Sequence, residues 1–147
     1  MHFHSTARGI LINDDAVLVT RVKGDDKTFL PGGHIDAKES AATTVIRELN
    51  EEANLKVNIA CFLGAVENNW HIGQELNTEL CLLFLLSSET DNDLDTIKSC
   101  EAHIDYFWLK REDLVTSNLY PLALREWLMS SQLEFTKSQP AFWGSDL

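Results

Sequence analysis

Residues 33–55 read GHIDAKESAATTVIRELNEEANL, from Gly33 to Leu55, and they carry the strongest signal in the chain. Three carboxylates stand within five residues, at Glu48, Glu51 and Glu52, and they are called the glutamate cluster below. Like charges three or four positions apart destabilise a helix by roughly 0.2–0.5 kcal/mol per pair. A segment that keeps such charges together either forms a solvated surface or binds a cation.

The apolar spacing predicts a helix over residues 37–53. Its apolar stripe follows the i, i+3, i+4, i+7 pattern and comprises Ala42, Val45, Ile46, Leu49 and Ala53. The glutamate cluster occupies an arc of roughly 100° beside this stripe. Asp36 followed by Glu39 indicates a capping-box start, and Asn54 indicates the end because Asn tolerates the left-handed conformation. On this helix Glu39 points away from the cluster, so we assign it to the start of the helix or to fixing the preceding loop, and not to the primary ligand set.

The ligand chemistry of the cluster favours a hard divalent ion. All its ligands are carboxylate oxygens, which suit Mg²⁺, Mn²⁺ or Ca²⁺. The segment lacks the alternating Asp/Asn residues and central Gly of a calcium-binding EF-hand loop. Mg²⁺ usually binds through a few carboxylates together with substrate phosphates, so the sequence predicts Mg²⁺ or Mn²⁺ and a phosphorylated substrate.

The same segment resembles the signature of the Nudix hydrolase family, which includes MutT-like proteins: G-x5-E-x7-R-E-U-x-E-E-x-G-U, where U is a bulky aliphatic residue. The matching residues are Gly33, Glu39, Arg47, Glu48, Leu49, Glu51, Glu52 and Leu55. Asn54 replaces the second glycine, a mild change at a position that closes the helix. The stretches 9–33 and 106–109 also resemble the family's opening hairpin and a later strand, so the resemblance covers most of residues 6–130.

The resemblance implies an α/β fold, the Nudix-type α/β/α sandwich with a mixed β-sheet. The residue patterns agree, since they predict two helices that flank a mixed sheet. Predicted strands cover residues 7–13, 16–22, 56–67, 78–87 and 104–109, with a helical turn at 110–114 and a helix at 119–133. We expect a single domain over residues 1–147 whose tail, 136–147, is loose unless its Phe142 and Trp143 pack on another part of the domain.

The resemblance also implies roles for individual residues. The glutamate cluster and the backbone carbonyl of Gly32 or Gly33 would hold Mg²⁺ or Mn²⁺, and Arg47 would orient the carboxylate of Glu51. In this family the general base is either a glutamate of the signature or one on a later loop. The candidates, in order of preference, are Glu52, Glu101 and Glu79.

Substrate-binding candidates lie outside the signature. Arg21, Lys23 and Lys27 are placed to bind phosphates, although each could also be an ordinary solvated cation. Trp70 could stack on a purine or simply cover its neighbours at a hairpin tip. The predicted activity is metal-dependent hydrolysis of a nucleoside diphosphate linked to another moiety, most simply a (deoxy)nucleoside triphosphate giving monophosphate and pyrophosphate. The alternatives are an ADP-ribose or nucleotide-sugar pyrophosphatase and, in another class, a non-catalytic nucleotide sensor.

Composition restricts the partners. The 147-residue chain has 23 acidic and 12 basic residues, a net charge of −11, so small nucleotides are favoured over long nucleic acids. Its longest apolar run, residues 80–86, is too short to cross a bilayer, so no membrane partner is expected. Cys61, Cys81 and Cys100 are odd in number and lack metal-binding spacing, which favours reduced thiols and a cytoplasmic location.

The sequence also bears on the N-terminus, an acidic segment and the oligomeric state. His2 and His4 are predicted to be idle residues of a mobile terminus. Residues 89–95, rich in Asp and Asn, are predicted to form a solvated loop. The sequence does not set the oligomeric state, and a homodimer is retained as a hypothesis.

Overall fold

The computed structural model describes residues 1–89 and 93–147, so residues 90–92 of the expected acidic loop lie outside the described part. The elements are β1 (His2–Ile10), β2 (Ile12–Asn13), β3 (Ala16–Val22), β4 (Gly32–His34), α1 (Ala41–Ala53), β5 (Val57–Ile72), β6 (Glu75–Ser88), β7 (Ile104–Lys110), α2 (Leu122–Ser131) and β8 (Phe142–Ser145). Short 3₁₀ turns cover Leu94–Thr96 and Arg111–Thr116.

The strands form two sheets, of which the larger is mixed. Its order is β4-β1-β6-β5-β8, and the smaller sheet has the order β2-β3-β7. The pairs β1–β6 and β5–β8 are parallel, and the other pairs are antiparallel. The mixed α/β architecture predicted from the sequence is therefore confirmed.

The two helices bury their apolar faces in different core clusters. Val45 and Leu49 of α1 are fully buried and pack in a cluster with Leu18 from the smaller sheet. Leu124 and Leu128 of α2 are also fully buried but belong to a second cluster. Helices on both sides of the sheets give the layered arrangement in which each element hides one apolar face. None of the described helices is both long and apolar enough to cross a membrane.

Helix α1 begins four residues later than the spacing predicted. Ser40 is the N-cap, and its hydroxyl accepts a hydrogen bond from the Thr43 N–H at 3.1 Å. The capping box expected at Asp36 does not form because Lys38 takes a left-handed conformation with φ of 72°, which interrupts a helix. Asn54, with φ of 49°, ends the helix as predicted.

The β5–β6 hairpin is longer than predicted at its turn end. The two strands reach Ile72 and Glu75, and residues 68–71 pair in register with residues 76–79. The sequence Asn68-Asn69-Trp70-His71 lacks an alternating apolar pattern, so its extended conformation could not be recognised from periodicity. The backbone ladder with β6 keeps it extended.

The N-terminus is not the mobile segment that was expected. Strand β1 starts at His2 and pairs with β6, beginning with His2 opposite Asn77. The His4 ring is hydrogen-bonded to His34 Nε2 at 2.9 Å and to Asn77 Oδ1 at 3.0 Å. Parallel pairing with a central strand fixes this segment, which is information that the local sequence does not contain.

The C-terminal tail is also ordered rather than loose. The Phe142 ring stacks on Trp127 of α2, with centroids 4.2 Å apart and an interplanar angle of 6°. The strand approaches β5 closely at Gly64, where a Cβ would lie 2.1 Å from the Phe142 carbonyl oxygen. Asp146 then accepts hydrogen bonds from the backbone N–H groups of Leu122 and Ala123 at the start of α2.

Candidate active site

Strand β4 and helix α1 bring Gly33 and Glu48 together. In β4, Gly33 is paired with Ala7 of β1, and the adjacent helix turns Glu48 toward it. A Cβ at position 33 would lie 2.5 Å from Glu48 Oε1, so a side chain there would displace the Glu48 carboxylate. Glycine at this position leaves room for the carboxylate beside the backbone of β4.

Arg47 connects most of the acidic residues around α1. Its Nε and Nη2 donate to the two carboxylate oxygens of Glu39, at 2.8 and 3.0 Å. Its Nη1 donates to Glu48 Oε1 at 3.0 Å and to Glu51 Oε2 at 3.2 Å. The predicted contact with Glu51 is present, but the strongest geometry, a bidentate fork, is made with Glu39.

Glu39 therefore connects the loop before α1 to the helix, one of the two roles that the sequence left open for it. The Arg47 guanidinium lowers the pKa of the Glu39 carboxyl to about 2, with help from the Thr44 hydroxyl, which donates to Glu39 at 2.8 Å. The same hydrogen bonds raise the pKa of Arg47, so this pair stays charged at any physiological pH. Glu39 fixes the guanidinium, and the guanidinium in turn fixes one oxygen each of Glu48 and Glu51.

Glu52 has a separate environment. Its Oε2 accepts a hydrogen bond from the hydroxyl of Tyr106 in β7. Burial raises the pKa of Glu52, and the charges of Glu48 and Glu101 raise it further, while the Tyr106 hydroxyl opposes the rise. A carboxyl with a raised pKa beside other carboxylates is the electrostatic pattern found at acid–base and cation sites.

The structure places Glu101 beside the end of α1. The Cys100 N–H donates to the Glu52 backbone carbonyl at 2.6 Å, which fixes this loop against the helix. The Glu101 side chain is 41% exposed and lies 3.3 Å from His103 Nε2. Its charge is felt by Glu52, so the second candidate for the general base is near the first. Glu79, the third candidate, lies on β6 and contacts Thr6 instead.

The donor set fits a hard divalent ion, although the side chains are not yet gathered around one. Within residues 1–89 and 93–147, no three His, Cys, Asp or Glu side chains are grouped closely enough to hold a metal. Arg47 and Tyr106 engage one oxygen of each member of the glutamate cluster, and the second oxygen of each has no hydrogen bond to them. Carboxylate oxygens of this kind are the ligands that Mg²⁺ and Mn²⁺ prefer.

A cavity of about 370 Å³ opens beside the carboxylates. Three aromatic rings line it, those of Phe29, Trp70 and Tyr120, together with Arg8 and His34. The positive charge of Arg8 is felt by Glu52, and His34 follows Gly33 directly in β4. The cavity and the carboxylate site are therefore neighbours, and its volume suits a small aromatic ligand.

The structure separates the cations that the sequence proposed for phosphate binding. Lys27 lines the cavity, and its Nζ lies 5.0 Å from the centre of the Tyr120 ring. Arg21 lies over the Phe107 ring, 5.1 Å from its centre, and Lys23 lies 3.9 Å from Asp105. Neither Arg21 nor Lys23 is part of the cavity lining.

Trp70 is the aromatic candidate that the structure places at the cavity. Its ring stacks on His4, with centroids 5.1 Å apart and an interplanar angle of 28°. One face of the indole is thus supported from behind by the N-terminal strand. The tryptophan lies near the end of the β5–β6 hairpin, as the sequence suggested, and it also borders the cavity.

Two residues at this site were missed by sequence reasoning. Tyr106 is 54 positions from Glu52, and it was read only as part of an apolar strand. Arg8 stands in a strand next to the fully buried Ala7. A positive charge within a partly buried strand could have marked it as a candidate site residue. Contacts of this kind depend on strand pairing, which no local pattern specifies.

Comparison with known proteins identifies the family of the chain. The model of the NUDIX domain family matches residues 2–132. The chain therefore belongs to the Nudix hydrolase family, as the signature from Gly33 to Leu55 indicated.

Solved structures of low sequence identity share the fold. A mutator MutT protein from Bacillus halodurans is 19% identical, with a TM-score of 0.69 over 97% of this chain and 88% of that one. A MutT protein from Methanosarcina mazei Go1 is 20% identical, with a TM-score of 0.68 over 88% and 92% of the two chains. An ADP-ribose pyrophosphatase from Streptococcus suis 89-1591 is 20% identical, with a TM-score of 0.58 over 97% and 98%.

Proposed function

We propose that this protein hydrolyses a nucleoside diphosphate linked to another moiety, with Mg²⁺ or Mn²⁺ as cofactor. The simplest such reaction converts a (deoxy)nucleoside triphosphate to the monophosphate and pyrophosphate. The observation that carries the proposal is the electrostatic repulsion that Glu52 feels from Glu48 and Glu101, beside a cavity lined by aromatic rings. A polyphosphate needs the first feature and a nucleoside suits the second.

The chain's own residues have separable roles in this reaction. The glutamate cluster and the Gly33 carbonyl would hold the ion, which when bound neutralises phosphate oxygens and acidifies a water molecule. Arg47 positions the carboxylates of Glu48 and Glu51. Glu52 is the first candidate to take the proton of the attacking water, because its raised pKa makes it a better base than an ordinary carboxylate.

A nearby candidate for the base is Glu101. It lies on the loop held by the Glu52 carbonyl, and its side chain is 41% exposed, which would let it reach a substrate-bound water. The same two residues could also divide the work, with Glu52 binding the ion and Glu101 accepting the proton. Glu52→Gln and Glu101→Gln, compared in one assay, separate these assignments.

Two other functions are compared with this proposal. The likeness to a protein described as an ADP-ribose pyrophosphatase keeps ADP-ribose or a nucleotide sugar as a second class of substrate. A non-catalytic nucleotide sensor is the alternative of another kind. The presence of Arg47 and the whole glutamate cluster argues against a sensor, since binding alone does not need a full set of metal ligands.

The experiment is an activity panel with a variant and a matched control. Nucleoside triphosphates, ADP-ribose and nucleotide sugars are incubated with Mg²⁺, and phosphate and pyrophosphate release are measured. Glu52→Gln should lower kcat by at least about a hundredfold, the usual scale for loss of a catalytic acid or base. Glu126→Gln, an exposed glutamate of α2, should leave kcat unchanged.

The results of this panel distinguish the proposed functions from one another. Near-full activity of Glu52→Gln removes this residue from the mechanism. Preferential turnover of ADP-ribose or a nucleotide sugar would make that compound, and not a nucleoside triphosphate, the proposed substrate. Tight binding of a nucleotide with no turnover of any compound would favour the sensor.

We further propose a cytoplasmic location, on the basis of cysteine chemistry. Cys61, Cys81 and Cys100 are all free thiols. Burial raises the pKa of Cys81 to about 11, so this thiol is a packed apolar group rather than a reactive one. A homodimer is the hypothesis for the assembly, and sedimentation equilibrium of the purified protein tests it.

A further inference from the structure

Glu79 is a buried carboxylate that the reaction as described does not use. Its side chain is 10% exposed, and it borders the cavity. The Thr6 hydroxyl donates to its Oε1 at 2.8 Å. No other hydrogen bond reaches the Glu79 carboxylate from the described residues, 1–89 and 93–147. An ionised carboxylate offers about four acceptor positions, and burying it is costly unless they are used.

Arg8 does not satisfy this carboxylate. Its Nη2 lies 4.0 Å from Glu79 Oε1, beyond hydrogen-bond distance. The guanidinium instead donates from Nη1 to the Leu30 carbonyl at 2.7 Å and lies over the Phe29 ring, 5.5 Å from its centre. Arg8 therefore balances the charge of Glu79 without a hydrogen bond to it. The remaining acceptor positions of the carboxylate are left for a group inside the cavity.

The neighbours of Glu79 indicate what that group would be. Asn68 of β5 is paired directly opposite Glu79, so the two side chains share one face of the sheet, and both line the cavity. The amide of Asn68 can donate where the carboxylate can only accept. The rings of Phe29, Trp70 and Tyr120 add flat apolar surface on which a heteroaromatic base can stack.

We propose that Glu79 hydrogen-bonds to the base of the substrate and makes the protein selective for guanine. The carboxylate accepts hydrogen bonds from the guanine ring N1–H and exocyclic amino group, and the Asn68 amide donates to O6. Among the ordinary bases, only guanine presents two adjacent donors on its pairing edge. Adenine and cytosine present a donor beside an acceptor lone pair, which an ionised carboxylate repels. This inference rests on the proposed function and narrows its substrate class.

The test compares guanine with hypoxanthine, which lacks only the amino group. The kcat/KM values of GTP, ITP, ATP, CTP and UTP are measured with Mg²⁺. We expect GTP to exceed ITP by at least about tenfold, because a site built to bind a donor is left with an unsatisfied polar group when that donor is missing. We expect the ratio of GTP to ATP to be larger still.

Variants then assign the preference to Glu79. Glu79→Gln preserves shape and the bond from Thr6 but replaces one acceptor with a donor, so the GTP-to-ITP ratio should fall to about one. Glu75→Gln is the matched control, since this exposed glutamate lies on the same strand and outside the cavity lining. Its ratio should equal that of the natural protein. The ratio in the natural protein needs no variant, so a folding defect in Glu79→Gln would not remove the test.

Contrary results are distinct from failure of the proposed function. Equal turnover of GTP and ITP, or an unchanged ratio in folded Glu79→Gln, overturns the base assignment and leaves the hydrolase standing. If no nucleotide of the activity panel is hydrolysed, the proposed function fails, and calorimetric titration with GMP and IMP decides the inference. A preference for GMP that Glu79→Gln abolishes supports it, and equal affinities overturn it.

Discussion

At the residue scale, the ionisation of Glu52 links the site to the stability of the metal-free protein. Its folded-state pKa is raised above the ordinary carboxyl value of 4.5, mainly by burial. A raised carboxyl pKa means that the folded state binds the proton more tightly than the unfolded state does. Stability is therefore undiminished below about pH 4.5 and falls as the pH rises through the folded-state pKa.

Glu52→Gln should for this reason stabilise the metal-free protein at neutral pH. The amide keeps the shape of the side chain and removes the buried charge, so we expect Tm at pH 7 to rise by on the order of 2 °C. Thermal unfolding in the presence of a chelator, followed by circular dichroism from pH 3 to pH 8, checks this. The gain should vanish at pH 3, and a gain that persists there would show that charge is not its cause.

The effect of Tyr106 on metal binding can be measured without measuring catalysis. Its hydroxyl donates to one oxygen of Glu52, and the other oxygen is not engaged by this hydrogen bond. Tyr106→Phe should weaken Mn²⁺ binding by about tenfold, the lower end of the usual cost of removing a group that orients a metal ligand. Calorimetric titration with Mn²⁺ alone measures this, and Tyr120→Phe should leave the affinity unchanged. Equal affinities in all three proteins would mean that Tyr106 does not position Glu52.

At the scale of elements, the pair of Glu39 and Arg47 ties the loop before α1 to the helix. The folded-state pKa of Glu39 is about 2, below its ordinary value of 4.5. A lowered carboxyl pKa contributes stability that is present above about pH 4.5 and is lost as the pH falls toward 2. Acid should therefore loosen this connection before it affects the apolar core.

Glu39→Gln should lower Tm at pH 7, and the difference from the natural protein should shrink between pH 4.5 and pH 2. The amide accepts one bond from Arg47 but lacks the charge that makes the fork strong. Thermal unfolding over this pH range, with Asp14→Asn as an exposed turn control, measures the effect. A difference that stays constant down to pH 2 would contradict the ionic origin.

The elements also show which information the sequence contained. Helix α1 was recognisable because its apolar residues and its glutamates recur at the helical period and Asn54 marks its end. Its start was misplaced because two polar residues, Asp36 and Ser40, can both cap a helix, and only the backbone at Lys38 decides between them. The turn end of the β5–β6 hairpin was missed because strand pairing, and not apolar alternation, keeps it extended.

At the scale of the whole molecule, the C-terminal tail completes the larger sheet and caps α2. We infer that residues 1–147 fold as one domain, since β8 pairs with β5 and Asp146 binds the first N–H groups of α2. Pro121 at the N-cap position supplies no side-chain hydrogen bond, so Asp146 takes the role that a capping residue would have.

Asp146→Ala should lower the free energy of unfolding by about 1 kcal/mol, the usual cost of a lost N-cap. For a chain of this length the corresponding change in Tm is about 2–4 °C. Urea unfolding followed by tryptophan fluorescence measures it, with Leu147→Ala as the control at a neighbouring exposed position. An unchanged midpoint for Asp146→Ala would show that α2 does not need the tail.

The site was predictable only in part, because its members come from distant segments. Glu48, Glu51 and Glu52 lie on one helix, so their period revealed them. Tyr106 reaches Glu52 from β7, and Arg8 reaches the cavity from β1, contacts that depend on sheet order. Arg21 of β3 lies over Phe107, and Lys23, just after this strand, lies near Asp105, so their role in phosphate binding stays a prediction.

The central claim is that the glutamate cluster binds a divalent ion together with a polyphosphate. Anomalous diffraction from crystals soaked in Mn²⁺ and a non-hydrolysable nucleotide tests it most directly. The account predicts a Mn²⁺ peak about 2.0–2.4 Å from oxygens of Glu48 and Glu52, with phosphate oxygens completing the coordination. A nucleotide bound without a peak there, with both carboxylates still held by Arg47 and Tyr106, would contradict it.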